Sequence, residues 1–251
     1  MASTIEARSS DTATVLDDQG YQVIDSFLDP ETCSAYLSRI DQFRKENELN
    51  EIFRPVAGRS LRYFVINGEQ IKGNLKDIWD LYLGDMREEV NQRSGRSFEP
   101  LSNVRVGVNI NIMPPGRSEY RWHYDRTRMT AILYLNDVEA GETIVYPNYR
   151  ILLRKRGLKR LQHLVDNCLE PAWVRERFAE KKVIAPRAGR LLIMRGNRCW
   201  HSVRGVKGRE DRLNIILAYD LPGTTFPMEK GLDSYLYTRE EASSAKDPNY
   251  G

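Results

Sequence analysis

The sequence predicts a mainly β protein with flanking helices, a sandwich or barrel interrupted by one helical insertion. Three observations carry this. From Asn103 onward the chain breaks into short apolar segments, each closed by Pro, Gly, Asn or Asp. Ahead of them lie two amphipathic patterns of helical period. Among the strand-like segments, residues 149–182 return to helical period.

The elements follow in order. Residues 1–19 lack an apolar signal-peptide core and read as a polar, flexible lead-in. Tyr21 to Leu28 alternates loosely, as a short strand does. Asp29-Pro30 then reads as an N-cap with proline in the first helical position. The helix that follows gathers Cys33, Tyr36, Leu37, Ile40 and Phe43 on one face. A strand pair is expected around Ser60 to Ile66. A second helix is expected over Leu75 to Gln92, with Ile78, Trp79, Tyr82, Met86 and Val90 as its buried stripe. These helices, within 20–102, read as support packed outside a sheet.

The strand expected from Asn103 places Val104, Val106, Val108, Ile110 and Ile112 on one face. Its other face carries Arg105, Gly107, Asn109 and Asn111, suited to line a wet cavity or meet solvent. Pro114-Pro115-Gly116 ends it. Further strands are expected at Thr130 to Leu135, Thr143 to Tyr146, Arg190 to Met194 and Arg212 to Tyr219. The insertion at 149–182 is strongly basic, with a leucine-rich helix and a second helix starting at Pro171. It reads as a helical hairpin packed on the barrel, with a lid or an oligomer contact as the other readings. Residues 221–251 read as a tail, and 1–251 as a single domain.

Composition excludes several function classes. Of 251 residues, 41% are apolar and 29% charged, ordinary for a soluble globular protein. A formal charge of +3 is too small to argue for nucleic acid or membrane binding. No apolar run reaches the roughly 20 residues of a membrane span. The cysteines, Cys33, Cys168 and Cys199, are odd in number and far apart, which suits a reducing cytoplasm rather than a disulfide framework.

Histidine is scarce, and two of the three, His123 and His201, fall in one pattern. His123-Tyr-Asp125 puts an imidazole and a carboxylate on one side of an extended segment, because residues i and i+2 share a strand face. His201, from a distant strand, can complete a three-ligand face on an octahedral ferrous ion and leave the opposite face open. Zinc competes for any His/Asp set, although the helical H-E-x-x-H of many zinc hydrolases is absent. Arg212 opens an apolar strand downstream of His201, where a guanidinium can clamp a carboxylate; Arg209, in the preceding turn, is the weaker candidate. His163 reads as a surface residue of the insertion.

Taken together the motifs resemble the iron(II)/2-oxoglutarate-dependent dioxygenases, specifically the prolyl-4-hydroxylase-like branch. They run His123-Tyr-Asp125, Tyr134-Leu-Asn-Asp-Val138, Gly141-Glu-Thr143 with Pro147, Pro186-Arg-Ala-Gly-Arg-Leu191, His201 and Arg212. The resemblance spans about 103–220. It implies a double-stranded β-helix, the jelly-roll or cupin-like barrel, with the site at one open end. It implies iron(II) on His123, Asp125 and His201, and 2-oxoglutarate and O2 as co-substrates, with ascorbate a candidate reductant. Arg212 would pair with the distal carboxylate of 2-oxoglutarate, Tyr134 matches a tyrosine that helps hold it, and Asn214 and Asn111 face the same region. Related halogenases replace the aspartate with Gly or Ala, so Asp125 argues for hydroxylation, desaturation or ring formation.

The expected reaction oxidises an unactivated C–H of a small molecule such as an amino acid or biosynthetic intermediate. Arg121 and Trp122, beside the first half-motif, are the candidate substrate contacts. Other readings are a peptidyl hydroxylase docking its substrate on the basic insertion, and a silent binding barrel. A homodimer through the insertion is a further candidate.

Overall fold

A computed structural model describes residues 14–49, 51–56, 59–116, 120–153 and 159–224, excluding the side chains of 53–56, 59–61, 120, 121, 159, 160 and 163. The first part of the chain forms α1 (Val15–Gln19), β1 (Tyr21–Ile24), α2 (Pro30–Glu46), the hairpin of β2 (Glu51–Val56) and β3 (Arg59–Ile66), α3 (Gly68–Asn74), α4 (Lys76–Leu83) and α5 (Asp85–Ser94). The second part begins with β4 (Glu99–Pro100), α6 (Val104–Gly107), β5 (Val108–Met113), β6 (Tyr120–His123), β7 (Met129–Tyr134), β8 (Glu139–Ala140) and β9 (Thr143–Tyr146). The insertion supplies α7 (Lys159–Leu169) and α8 (Ala172–Phe178). It is followed by β10 (Lys182–Ile184), β11 (Leu191–Met194), β12 (Trp200–Val203), β13 (Val206–Lys207) and β14 (Arg212–Asp220).

The strands build a jelly roll from two facing antiparallel sheets. The major sheet runs β1-β11-β7-β14-β5-β3-β2, with β4 on the end of β14; the minor sheet runs β10-β9-β12-β6. Period-two alternation sorts the side chains. On β14, Leu213, Ile215, Leu217 and Tyr219 join the core beneath the helices, while Arg212, Asn214, Ile216 and Ala218 line the cavity between the sheets. On β5, Val108, Ile110 and Ile112 enter the same core, and Asn109, Asn111 and Met113 face the cavity. Both faces of β5 are therefore buried.

The helices cover the outer face of the major sheet. Asp29 caps α2 through Thr32 N–H at 2.8 Å, with Pro30 in the first turn, as the sequence predicts. Two expectations need correction. The helix expected over Leu75 to Gln92 is two, broken at Gly84, whose φ of −106° and ψ of −105° lie outside the helical region. The strand expected from Asn103 starts only at Val108; Val104–Gly107 is a single helical turn, closed by Gly107 N–H to Asn103 C=O at 3.1 Å. Among the described residues no helix is long and apolar enough to cross a membrane.

Candidate active site

β6 and β12 are neighbours in the minor sheet, and His123 and His201 are direct register partners across them. β6 ends at His123, so Asp125 sits just past the strand, held by its N–H to the Gly196 carbonyl at 3.0 Å. Asp125 Oδ1 lies 3.5 Å from His123 Nε2 and 3.5 Å from His201 Nε2. One ligand atom from each residue falls within 4.8 Å of the others, close enough to surround one metal ion. Both histidines are buried.

Hydrogen bonds aim this set. His201 Nδ1 lies 2.9 Å from the Cys199 carbonyl, an acceptor, so Nδ1 carries the proton and Nε2 presents its lone pair. Burial pushes the His201 pKa down to about 4, with His123 adding to the effect, so the ring is neutral near pH 7. For Asp125 burial acts upward, but His201, His123 and the Thr130 hydroxyl outweigh it and hold the carboxyl well below its usual range. A neutral imidazole at His201 and an ionised carboxylate at Asp125 are the states a divalent metal requires.

At the other end of the cavity Arg212 is 2% exposed. Its Nη1 donates to Asn214 Oδ1 and lies 3.5 Å from Met113 Sδ. Its Nη2 donates to Thr143 Oγ1 at 3.2 Å, and Nε has no partner. Tyr134 lies under the guanidinium, ring centroid 5.1 Å from Cζ, and donates its hydroxyl to Thr143 Oγ1 at 2.7 Å. Every one of these partners is neutral. A buried cation without an anion is costly, so the arrangement leaves a place for a carboxylate from outside the chain. Asn111, opposite Asn214 in register, is also buried with its Oδ1 unpartnered. The competing Arg209 is exposed.

A cavity of about 150 Å³ connects the two ends; its lining includes His123, Asp125, His201, Arg212, Asn214 and Asn111. Tyr134 lies just behind, in the buried cluster with Ile132 and Val145. Trp122, expected to contact substrate, is placed elsewhere. It packs on the outer side of the minor sheet against Tyr146 and Trp200, at centroid distances of 5.4 and 6.4 Å, with Arg175 of α8 over its ring. Strand alternation explains this, since His123 pointing in sends Trp122 out. The side chains of Arg121 and His163 lie outside the described residues.

Three participants were not singled out from the sequence. Thr143 braces both Arg212 and Tyr134. Thr130 donates to Asp125 Oδ2 at 2.5 Å. Gly141, at φ +69°, leaves room for the arginine stem, since a Cβ there would lie 3.0 Å from Arg212 Cδ. Thr143 and Gly141 stand in the quoted Gly-Glu-Thr motif, which was the available signal.

Comparison with known proteins agrees with this geometry. A family model described as the 2OG-Fe(II) oxygenase superfamily matches residues 108–219. The fold is similar to that of SnoN, a non-haem α-ketoglutarate-dependent epimerase from nogalamycin biosynthesis. That match has TM-score 0.61 and 16% identity, over 84% of this chain and 89% of that one. SnoK, a carbocyclase of the same biosynthesis, matches with TM-score 0.61 and 16% identity over 81% and 80%. A prolyl-4-hydroxylase from Pseudomonas putida matches with TM-score 0.53 and 18% identity over 83% and 96%. At these identities the structures speak to the fold alone, and no curated protein sequence matches the chain. The family match contains both histidines, the aspartate and the arginine, so over residues 108–219 the chain matches the 2OG-Fe(II) oxygenase superfamily, which supports an iron(II)- and 2-oxoglutarate-dependent dioxygenase.

Proposed function

We propose that the chain oxidises, most simply by hydroxylation, an unactivated C–H of a small molecule, with 2-oxoglutarate converted to succinate and carbon dioxide. The observation that carries this is Arg212, a buried cation with only neutral partners, in the same cavity as the His-Asp-His set. In this reading His123, Asp125 and His201 hold iron(II), and Arg212 takes the far carboxylate of 2-oxoglutarate through parallel N–H donors. Thr143 and Asn214 orient the guanidinium, Tyr134 supports it from below, and Asn111 turns its amide to the co-substrate. Bound together, iron and 2-oxoglutarate supply, with dioxygen, a centre able to oxidise C–H bonds. The protein positions the reactants and excludes water.

The apolar cavity walls, Leu101, Val106, Ile216 and Ala218, favour a small molecule with a hydrocarbon portion. In this reading 1–251 is one oxygenase domain with its core at 103–220. Cys33, Cys168 and Cys199 are free thiols, which supports a reducing, cytoplasmic setting. Trp173 and Phe178, 70% and 74% exposed, support a homodimer through the insertion, which sedimentation of wild type and Trp173→Glu tests by loss of the dimer.

Iron-dependent succinate release across amino acids, biosynthetic scaffolds and proline-containing peptides tests the function. Stimulation by a small molecule, abolished in His123→Ala and Asp125→Ala, is the expected result. Stimulation by peptides alone would move the assignment to a peptidyl hydroxylase, and absence of iron-dependent 2-oxoglutarate turnover would remove it.

A further inference from the structure

The two oxygens of Asp125 stand in different surroundings. Oδ1 is 3.5 Å from the Nε2 atoms of both His123 and His201. Oδ2 is turned away and accepts a hydrogen bond from Thr130 Oγ1 at 2.5 Å. Thr130 Oγ1 lies 3.4 Å from Thr127 Oγ1, so Thr127 can donate to Thr130 while Thr130 donates to the carboxylate. Both threonines are buried.

The donor is fixed from two sides. Thr130 sits inside the major sheet, paired in register with Met194 of β11 and Ala218 of β14, so its Cβ has no freedom to follow a moving carboxylate. Gly196 closes the other side. Its carbonyl takes the Asp125 N–H at 3.0 Å. A Cβ on Gly196 would stand 2.5 Å from Thr130 Oγ1, 2.8 Å from Asp125 Cβ and 2.8 Å from Asp125 Oδ2. This glycine is therefore required for space: bare backbone lets the Asp–Thr pair pack against it.

From this geometry we propose that Thr130 is a positioning residue that restricts Asp125 to one-oxygen coordination, with Gly196 as the wall that makes the contact possible. The proposal rests on His123, Asp125 and His201 being the iron ligands. A carboxylate with both oxygens free can rotate and bind a metal through both, taking a position that the co-substrate or dioxygen needs. Occupying Oδ2 with a sheet-anchored hydroxyl keeps that position open. Ligand-orienting partners of this kind are worth about 10- to 100-fold in metal affinity.

The test is anaerobic titration of the full chain with cobalt(II), following affinity and the visible d–d absorption, which reports coordination number. Wild type, Thr130→Ser, Thr130→Val, Thr130→Ala and His123→Ala are compared, each checked for fold by circular dichroism. Thr130→Ser is expected to match wild type. Thr130→Val and Thr130→Ala are expected to shift cobalt affinity by about 10- to 100-fold, with a spectrum moved toward higher coordination number. Should the valine variant fail to fold, the alanine–serine comparison decides. Wild-type affinity and spectrum in the folded variants lacking the hydroxyl would overturn the proposal, as would an equal shift in Thr130→Ser. A wild type that binds no cobalt, or binds it as well as His123→Ala does, would instead remove the metal-site reading beneath it.

Discussion

At the residue scale, Arg212 is a charge in a place where charge is expensive. Its guanidinium is held by Thr143, Asn214 and the face of Tyr134, none of which carries a negative charge. Removing one partner of a desolvated charged pair costs about 2–5 kcal/mol, much of it the penalty of leaving the other partner unpaired. Arg212→Ala is therefore expected to raise the 2-oxoglutarate requirement by about 100-fold, read as KM in a succinate assay. An unchanged KM would move the clamp to another residue. Much of this site was legible from residue types and spacing, because an extended backbone at His123 carries Asp125, two residues on, toward the same side even past the end of β6. Thr130 and Gly196 were not legible: their roles depend on β7 and the turn after β11 meeting the loop after β6, which no local pattern announces.

At the element scale, the insertion docks on the back of the strands that carry His123 and His201. Arg150 lies over the Tyr124 ring at 4.8 Å and is held by Asp166 of α7 at 2.6 Å, with both charged side chains largely buried. Arg175 of α8 lies over Trp122 at 5.1 Å, and the Tyr149 hydroxyl donates to the Leu169 carbonyl at 2.6 Å. Asp166→Ala breaks the Arg150 pair and is expected to destabilise by about 3 kcal/mol in urea unfolding. A loss within 0.5 kcal/mol, the range of ordinary surface changes, would show that the pair does not hold the insertion. The helical character of 149–182 was legible from its period, but its docking partners were not. Trp122 shows the difference: placing the histidine inward already fixes the tryptophan outward, yet only the structure supplies Arg175 above it. Val104–Gly107 was misread because its valines also fit a strand, and packing chose the helical turn. Gly84 was the overlooked break within one continuous apolar stripe.

At the scale of the whole molecule, Tyr82 joins the helical support to the major sheet. Its hydroxyl donates to the Ala218 carbonyl at 3.0 Å and accepts the Leu101 N–H at 2.9 Å, and Leu101 and Ala218 both line the cavity. The Tyr219 hydroxyl returns a bond to the Tyr82 carbonyl at 2.9 Å. Tyr82→Phe leaves two buried polar groups without their partner and is expected to cost about 2–4 kcal/mol, with unfolding still a single transition in calorimetry. Two separate transitions would show that the helices and the sheets fold independently. In the proposed function one cavity holds iron(II) on His123, Asp125 and His201 while Arg212 holds 2-oxoglutarate. Anaerobic addition of iron(II) and 2-oxoglutarate tests it most directly. The weak visible metal-to-ligand charge-transfer band of chelated 2-oxoglutarate should appear in wild type, need far more 2-oxoglutarate in Arg212→Ala, and vanish in His123→Ala. Absence of the band in folded wild type, or its persistence in His123→Ala, would contradict the account.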